Sequence, residues 1–189
     1  MRFRVTLLLS LFCVLWQSLP GSASALSLAT PEQLGVATVL GRSYDPEPNL
    51  SFAQLSLMAL YDYEQIMSHP APEPLRFKLE VNLGLADAPA RRMLASANFF
   101  ALYYLRALEF SHFRPYVEAG AGIVYGDFQV SGQGLRMNFN PQAGIGAEWQ
   151  KNEGRHWYGA LRGYHISNGE LHRDNRGINA VTLHVGVFF

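Results

Sequence analysis

Apolar and polar residues alternate one by one along several stretches of this chain. Between Leu75 and Leu85, every odd-numbered position is apolar and every even-numbered position is charged, polar or glycine. The C-terminal run 181–189 repeats the pattern. A helix would spread such a pattern around its circumference, whereas a strand separates it onto two faces. The alternation therefore predicts β-strands with one apolar face and one polar face.

Eight segments of this kind follow one another, and stretches rich in Gly, Pro and Asp separate them. Each segment has roughly the ten residues that a tilted strand needs to cross a bilayer. The predicted strands lie at about 33–42, 52–61, 75–86, 92–105, 114–126, 137–149, 156–168 and 178–189. An even number of amphipathic strands, with an aromatic residue at the C-terminus, predicts an all-β fold: an eight-stranded antiparallel transmembrane β-barrel.

The N-terminus has the features of a secretory signal peptide. A basic start is followed by a short apolar stretch and by Ala23-Ser24-Ala25. This order predicts that residues 1–25 are cleaved off and that residues 26–189 form the barrel domain. A transmembrane anchor is the alternative, but the apolar stretch is short for a helix that spans a bilayer.

Export would leave the start of the mature chain in the periplasm, and this sets the direction of every loop. The connections at 62–74, 106–113 and 150–155 then face the periplasm, where 62–74 is long for a turn. The outward loops are 43–50, 87–91, 127–136 and 169–177. We therefore predict a protein of the cell outer membrane, in contact with membrane lipids.

The two faces of the strands differ in what they can contact. A water-soluble, lipocalin-like barrel is the alternative fold, but Lys78 and Glu80 lie opposite an almost unbroken apolar face, which favours lipid outside. Tyr103, Tyr104 and Trp149 are expected in the aromatic girdle at the membrane interface. The interior of so small a barrel should be filled rather than open as a pore. Its expected charged residues are Arg76, Lys78, Glu80, Glu118, Glu148 and Arg162.

Charge and cysteine content exclude several classes of function. The formal net charge is zero, so the chain lacks the strongly basic balance of a nucleic-acid-binding protein. The single cysteine, Cys13, lies inside the predicted signal peptide, which leaves no thiol for a disulfide or a metal site in the mature chain. The histidines show no zinc-binding spacing. We expect neither a metal nor a cofactor.

One pair of polar residues on the apolar wall is a candidate for chemistry. His165 and Ser167 share a face with Trp157 and Leu161, whereas Arg162 lies on the opposite face. Because an arginine is costly in lipid, we assign the pair to the lipid-facing wall at the outer end. Side chains at i and i+2 are close enough for an imidazole to take the proton of a serine hydroxyl. Two polar residues at the membrane interface would fit the same spacing, and that is the simpler interpretation.

The residues around this pair connect the chain to a known family. The segment His165-Ile166-Ser167-Asn168-Gly169 is followed by Asn175, Gly177 and Ile178 and by a last strand that ends in an aromatic residue. The run 113–122 adds a similar middle strand. With these features the chain resembles the lipid A 3-O-deacylases of the outer membrane (PagL-like, acyloxyacyl hydrolase family). The resemblance covers the mature chain in architecture and about its last 25 residues in motifs.

The resemblance implies hydrolysis of the 3-linked acyl ester of lipid A or lipopolysaccharide, with release of a 3-hydroxy fatty acid. Ser167 would be the nucleophile and His165 the general base of a serine carboxylic-ester hydrolase. Asn168, Asn175 and Gly177 match positions that bind the substrate or the oxyanion, where fixed amides stabilise the tetrahedral intermediate.

One position departs from the family pattern. The triad acid of the family is a Glu fourteen residues after the His, and here that position is Asn179. An Asn carbonyl can accept the imidazole N–H and orient the ring, but it cannot stabilise the imidazolium as a carboxylate does. Glu170 or Asp174 could supply the charge, although solvated loop carboxylates are the simpler interpretation. A non-catalytic structural or lipid-binding barrel is therefore the alternative function, and a homodimer is left open.

Overall fold

The computed structural model describes residues 30–67, 69–152 and 155–189. The predicted signal peptide, residues 1–25, lies outside the described residues. The strands are β1 Gln33–Asp45, β2 Ser51–Asp62, β3 Leu75–Asp87, β4 Arg91–Tyr104, β5 Phe113–Gly126, β6 Met137–Phe139, β7 Gln142–Asn152, β8 Arg155–Ile166 and β9 Ile178–Phe188. A short helix, α1 Tyr63–Met67, and a 3-10 turn, Arg106–Leu108, lie between strands.

The strands form one closed antiparallel sheet. From β1 to β5 and from β7 to β9 each strand pairs with the next along the chain, and β1 pairs with β9 to close the ring. Strands β6 and β7 both pair with β5, so they are two parts of one barrel strand, which is interrupted at Asn140-Pro141. The barrel therefore has eight strand positions, as the alternation predicts. The predicted sixth strand is continuous in the sequence pattern, but Pro141 has no N–H to donate to a ladder, and the regular pairing stops beside it.

The side chains of each strand alternate between the exterior and the barrel interior. In β2, outward Leu55 and Leu57 are more than 60% exposed, whereas inward Gln54 and Ser56 are buried. Apolar residues thus cover the outer wall and polar residues face inward, the arrangement of a barrel that stands in lipid. Among the residues with described structure, no helix is long and apolar enough to cross a membrane.

The interior is filled by three layers of side chains. Apolar clusters occupy the two ends: one contains Phe52, Leu94 and Tyr164, and the other contains Leu60 and Leu102. Between them lies a charged layer that water does not reach. Its members are Lys78, Glu80, Glu118 and Arg162, each with a fully buried side chain.

Arg162 is the centre of this layer. Its Nε donates to Glu118 over 2.7 Å and its Nη2 donates to Glu80 over 2.8 Å, while Lys78 contacts Glu118 from the other side. The predicted charged interior is present in these residues and in Glu148.

Two residues differ from the predicted arrangement. Arg76 lies at the rim next to the chain termini, partly exposed, where its Nε donates to Glu32 over 2.7 Å. Tyr104 belongs to the interior and not to the girdle, because its hydroxyl donates to buried Glu148 over 2.6 Å. Tyr103 and Trp149 do face outward.

Candidate active site

We call the end of the barrel opposite the start of β1 and the end of β9 the distal end; it carries the loops 46–50, 88–90, 127–136 and 167–177. His165 lies on β8 near this end, on the outward face that also contains exposed Leu161. Arg162 on the inward face is buried. The assignment of His165 to the outer wall, made from the cost of an arginine in lipid, is therefore correct.

Ser167 follows the last residue of β8, and its backbone is hydrogen-bonded to the end of β6. Its N–H donates to the carbonyl of Phe139 over 3.0 Å, and the N–H of Phe139 donates back over 2.8 Å. Two residues earlier, the N–H of His165 donates to the carbonyl of Pro141 over 3.1 Å. These bonds continue the extended backbone past β8, so that His165 and Ser167 project from the same side of the wall.

Asn179 lies directly opposite His165 in the pairing of β8 with β9. The Nδ1 atom of His165 is 2.6 Å from the Oδ1 atom of Asn179. Because a carbonyl oxygen only accepts, this contact assigns the ring proton to Nδ1 and leaves the lone pair on Nε2. The predicted placement of Asn179 beside the imidazole is thus present in the structure.

Asp45 is a neighbour of this pair that sequence reasoning missed. The Nδ2 atom of Asn179 donates to Asp45 Oδ2 over 3.0 Å, and Arg176 forms an ion pair with the other oxygen. Glu170 and Asp174, the other carboxylates that could have supplied the charge, are exposed in the loop, where Asp174 pairs with Arg173. This agrees with the simpler interpretation of solvated loop carboxylates. Position 45 was predicted to be in a loop; it is the last residue of β1.

The loop 167–177 is ordered by Asn168, which is buried. Its backbone N–H donates to Asn175 Oδ1 over 2.8 Å, and its side-chain Nδ2 donates to the carbonyl of Asp174 over 2.9 Å. The amide of Asn168 therefore holds the loop together. Asn175 keeps its Nδ2 donors, for which the described part of the chain offers no acceptor.

The neighbouring loop 127–136 supports the same segment. The N–H of Gly134 donates to the carbonyl of Asp174 over 2.7 Å, and the N–H of Arg176 donates to the carbonyl of Gly132 over 2.8 Å. These two bonds flank Asn175 on either side along the chain. The position of the Asn175 amide is consequently determined by two loops that are distant in sequence.

Gly177 lies against the imidazole. A Cβ atom at this position would be 2.8 Å from His165 Cε1 and 3.1 Å from the carbonyl oxygen of Ile166. Both distances are shorter than an ordinary contact, so the ring occupies the space that a side chain would need. Within the described ranges, no group of three His, Asp or Glu side chains could hold a metal ion.

The chain is similar to a known family in its sequence and to solved structures in its fold. Residues 66–188 match the sequence profile of the family described as lipid A 3-O-deacylase (PagL). No curated protein sequence matches the chain.

Among solved structures, the outer membrane enzyme PagL is 19% identical, covers 80% of this chain and 97% of its own, and superposes with a TM-score of 0.59. The N-terminal barrel domain of Pseudomonas aeruginosa OprF is 17% identical, with 84% and 98% covered and a TM-score of 0.45. The likeness to PagL shows a shared outer-membrane barrel fold, and the sequence match extends over most of the chain. The chain belongs to the lipid A 3-O-deacylase (PagL) family.

Proposed function

We propose that this barrel hydrolyses the 3-linked acyl ester of lipid A, with Ser167 as the nucleophile and His165 as the general base. The observation that carries the proposal is the 2.6 Å contact between His165 and Asn179 on the outer wall. It orients the imidazole two residues before a serine that projects from the same side. Family membership supports lipid A as the substrate.

The reaction would proceed through an acyl-enzyme. His165 Nε2 takes the proton of the Ser167 hydroxyl as Oγ attacks the ester carbonyl carbon. The tetrahedral intermediate collapses, the bond to the sugar oxygen breaks, and that oxygen receives the proton from His165. Water then attacks the acyl-serine with His165 again as the base, and the 3-hydroxy fatty acid leaves with Ser167 restored.

Asn175 is the better candidate of the two asparagines for the oxyanion. Its Oδ1 accepts the N–H of Asn168, which fixes the amide while leaving Nδ2 to donate. Donors that are fixed before the charge develops stabilise the intermediate most effectively. Asn168 would act indirectly, by holding Asn175 in place, because its own side chain is bonded within the loop. Gly177 would contribute space next to the imidazole rather than a contact.

The substrate would reach this site sideways through the membrane. The barrel interior is occupied by the buried charged layer around Arg162, which leaves no path through the lumen. On the outer wall, exposed Leu161, Val181 and Leu40 lie below the site on β8, β9 and β1. An acyl chain in the leaflet could lie along these residues while its ester meets Ser167. We also propose cleavage of residues 1–25 on export to the outer membrane.

The first prediction tests the nucleophile. Expression of the protein in the outer membrane should remove one 3-hydroxyacyl chain from lipid A, and mass spectrometry of extracted lipid A should show the mass loss. Ser167→Ala should abolish it, because no other hydroxyl occupies that place in the proposed reaction. Ser51→Ala is the matched control, since Ser51 is a serine exposed on the outer wall near the distal end.

Two outcomes would count against the proposal. Deacylation by folded Ser167→Ala protein would exclude Ser167 as the nucleophile. Intact lipid A in the presence of abundant folded wild-type barrel would favour the second candidate, a non-catalytic lipid-binding barrel. The observation behind that candidate is Asn179, which stands where the family acid is expected.

A further inference from the structure

Four side chains from different parts of the chain form a continuous row across the outer wall at the distal end. His165 on β8 contacts Asn179 on β9, Asn179 contacts Asp45 on β1, and Asp45 pairs with Arg176 from the loop 167–177. The first contact is 2.6 Å and the second is 3.0 Å. The proposed mechanism uses the first two residues; the other two have no role in it so far.

A bulge in β1 brings Asp45 into this row. Ser43 pairs with Ala180 and faces inward, and both side chains are buried. Strict alternation would turn position 44 outward and position 45 back into the barrel. The pairing with β9 instead moves by one residue, so that Asp45 lies opposite Asn179. A bulge of this kind re-aims a side chain, and bulges are frequent beside active sites.

We propose that Asp45 is a positioning residue that determines which end of the Asn179 amide faces His165; this inference rests on the proposed function. An ionised carboxylate has only acceptors. It draws the Nδ2 of Asn179 toward itself and so turns Oδ1 toward the imidazole. Without it, nothing in the contact between an amide and an imidazole selects the oxygen over the nitrogen.

The orientation of the amide sets the tautomer of His165. With Oδ1 facing the ring, Nδ1 carries the proton and Nε2 has a free lone pair to accept the proton of Ser167. With Nδ2 facing the ring, Nδ1 would be the acceptor and Nε2 would carry the proton. In that state the imidazole cannot act as a base toward Ser167. In serine-protease triads, the wrong tautomer of the histidine causes a large loss of rate.

Asp45 also supplies the charge that Asn179 lacks. It is an anion one amide away from the imidazole, in line with the proton that moves onto His165 during the reaction. Arg176 keeps the carboxylate in place through its other oxygen. The Asn179–Asp45 pair thus does together what a single carboxylate would do next to the ring.

Asp45→Asn is the substitution that tests this most directly. Arg176 would bind the oxygen of the new amide, because a guanidinium only donates. The new NH₂ group would then face Asn179 and favour the reversed orientation of its amide. We expect kcat for lipid A deacylation to fall by about 10- to 100-fold, by analogy with the loss of a partner that orients a metal-bound histidine, with KM little changed. Glu47→Gln is the matched control, since Glu47 is an exposed carboxylate near Asp45 that bonds only to the N–H of Asn49 among the described residues.

A rescue variant separates positioning from a structural role. In Asp45→Asn combined with Asn179→Glu, the new carboxylate at position 179 accepts from the His165 ring and from the new amide at position 45. Arg176 still binds the oxygen of that amide, so every donor has an acceptor. We expect kcat to return to the wild-type level or above it. Asn179→Glu alone would place two carboxylates next to each other, and their repulsion should keep its kcat below that of the double variant.

The tautomer can be read without substrate. In ¹⁵N-histidine-labelled protein in detergent micelles, wild-type His165 should show a protonated Nδ1 and an unprotonated Nε2, and Asp45→Asn should shift or mix these states. Correct folding is checked by the heat-dependent mobility of the barrel on gels, with Asp45→Ser as a second variant if Asp45→Asn does not fold. Wild-type kcat and an unchanged His165 spectrum in either variant would overturn the inference. An inactive wild-type barrel would refute the proposed function, while the spectrum would still decide the role of Asp45.

Discussion

A histidine that acts as a general base needs a partner that fixes its ring and a counter-charge when the ring takes up a proton. In the mechanism proposed for this barrel, two residues divide those tasks: the carbonyl of Asn179 would hold the ring, and the carboxylate of Asp45, which accepts from the same amide, would supply the charge. Gly177 adds a third requirement, because the ring occupies the space next to its Cα. At the scale of single residues, the proposed site therefore depends on the orientation of the Asn179 amide and on the absence of a side chain at Gly177.

Gly177→Ala should misplace the imidazole. The added Cβ would lie 2.8 Å from His165 Cε1, so the ring must turn away from Asn179 or from Ser167. Because a shift of about 1 Å can cost on the order of 100-fold in rate, we expect a loss of that size in kcat with little change in stability. Gly163→Ala is the control on the outward face of β8, where the nearest atom to an added Cβ is 3.8 Å away. Equal activity of the two variants would show that the ring has room to move.

At the scale of strands, two irregularities build the site into an otherwise regular wall. The bulge at the end of β1 turns Asp45 toward Asn179. The break between β6 and β7 leaves the carbonyls of Phe139 and Pro141 to accept from Ser167 and His165. Away from the distal end the strands alternate regularly, apart from a register shift between Gln150 and Asn152 at the end of β7. Their outward face is mostly apolar.

The lipid-facing assignment of the strands makes a prediction about charge. Leu183 lies outward in the middle of β9, between Leu40 and Leu161 on the adjacent strands. Leu183→Arg should lower the free energy of unfolding of the liposome-inserted barrel by about 2–4 kcal/mol, the cost of an arginine near the bilayer midplane. Leu171→Arg should change it by less than about 0.5 kcal/mol, because Leu171 is in a loop and 73% exposed. Urea titration of both variants measures the difference, and similar values would contradict a membrane-spanning β9.

At the scale of the whole molecule, the buried charged layer ties distant strands together. Arg162 on β8 bonds to Glu80 on β3 and to Glu118 on β5, across the width of the barrel. Such a layer is satisfied only as a unit, since each carboxylate depends on cations from other strands. It also fills the lumen, so in the proposed reaction a lipid substrate would approach along the outer wall.

Removal of the positive charge of Arg162 should lower the free energy of unfolding of the barrel. In Arg162→Met the methionine fills similar space, but two buried carboxylates then share Lys78 alone. We expect a loss of about 3–5 kcal/mol in unfolding free energy, as for other buried ion pairs that lose one partner. Arg76→Met at the partly exposed rim should lose no more than about 1 kcal/mol. A barrel that tolerates Arg162→Met as well as Arg76→Met would show that the layer adds little to stability.

Much of this arrangement could be predicted from the alternation of residues. Leu75 to Leu85 alone separates an apolar face from Lys78 and Glu80, and the structure keeps that separation. The same rule assigns His165 and Asn179 to the outer wall. It fails at Asp45, because an alternating pattern carries no signal for a bulge. At Tyr104 the alternation holds, and the girdle assignment was wrong because the adjacent Tyr103 and Tyr104 face opposite sides of the strand.

The sequence by itself determined the strands, their faces and the pair His165 and Ser167, because these depend on near neighbours along the chain. Only the tertiary structure decided that Asp45 lies beside Asn179. Asp45 and Asn179 are 134 positions apart and meet where β1 closes onto β9. Barrel closure and a register shift of one residue are properties of paired strands, and neither is encoded in the periodicity of one strand alone.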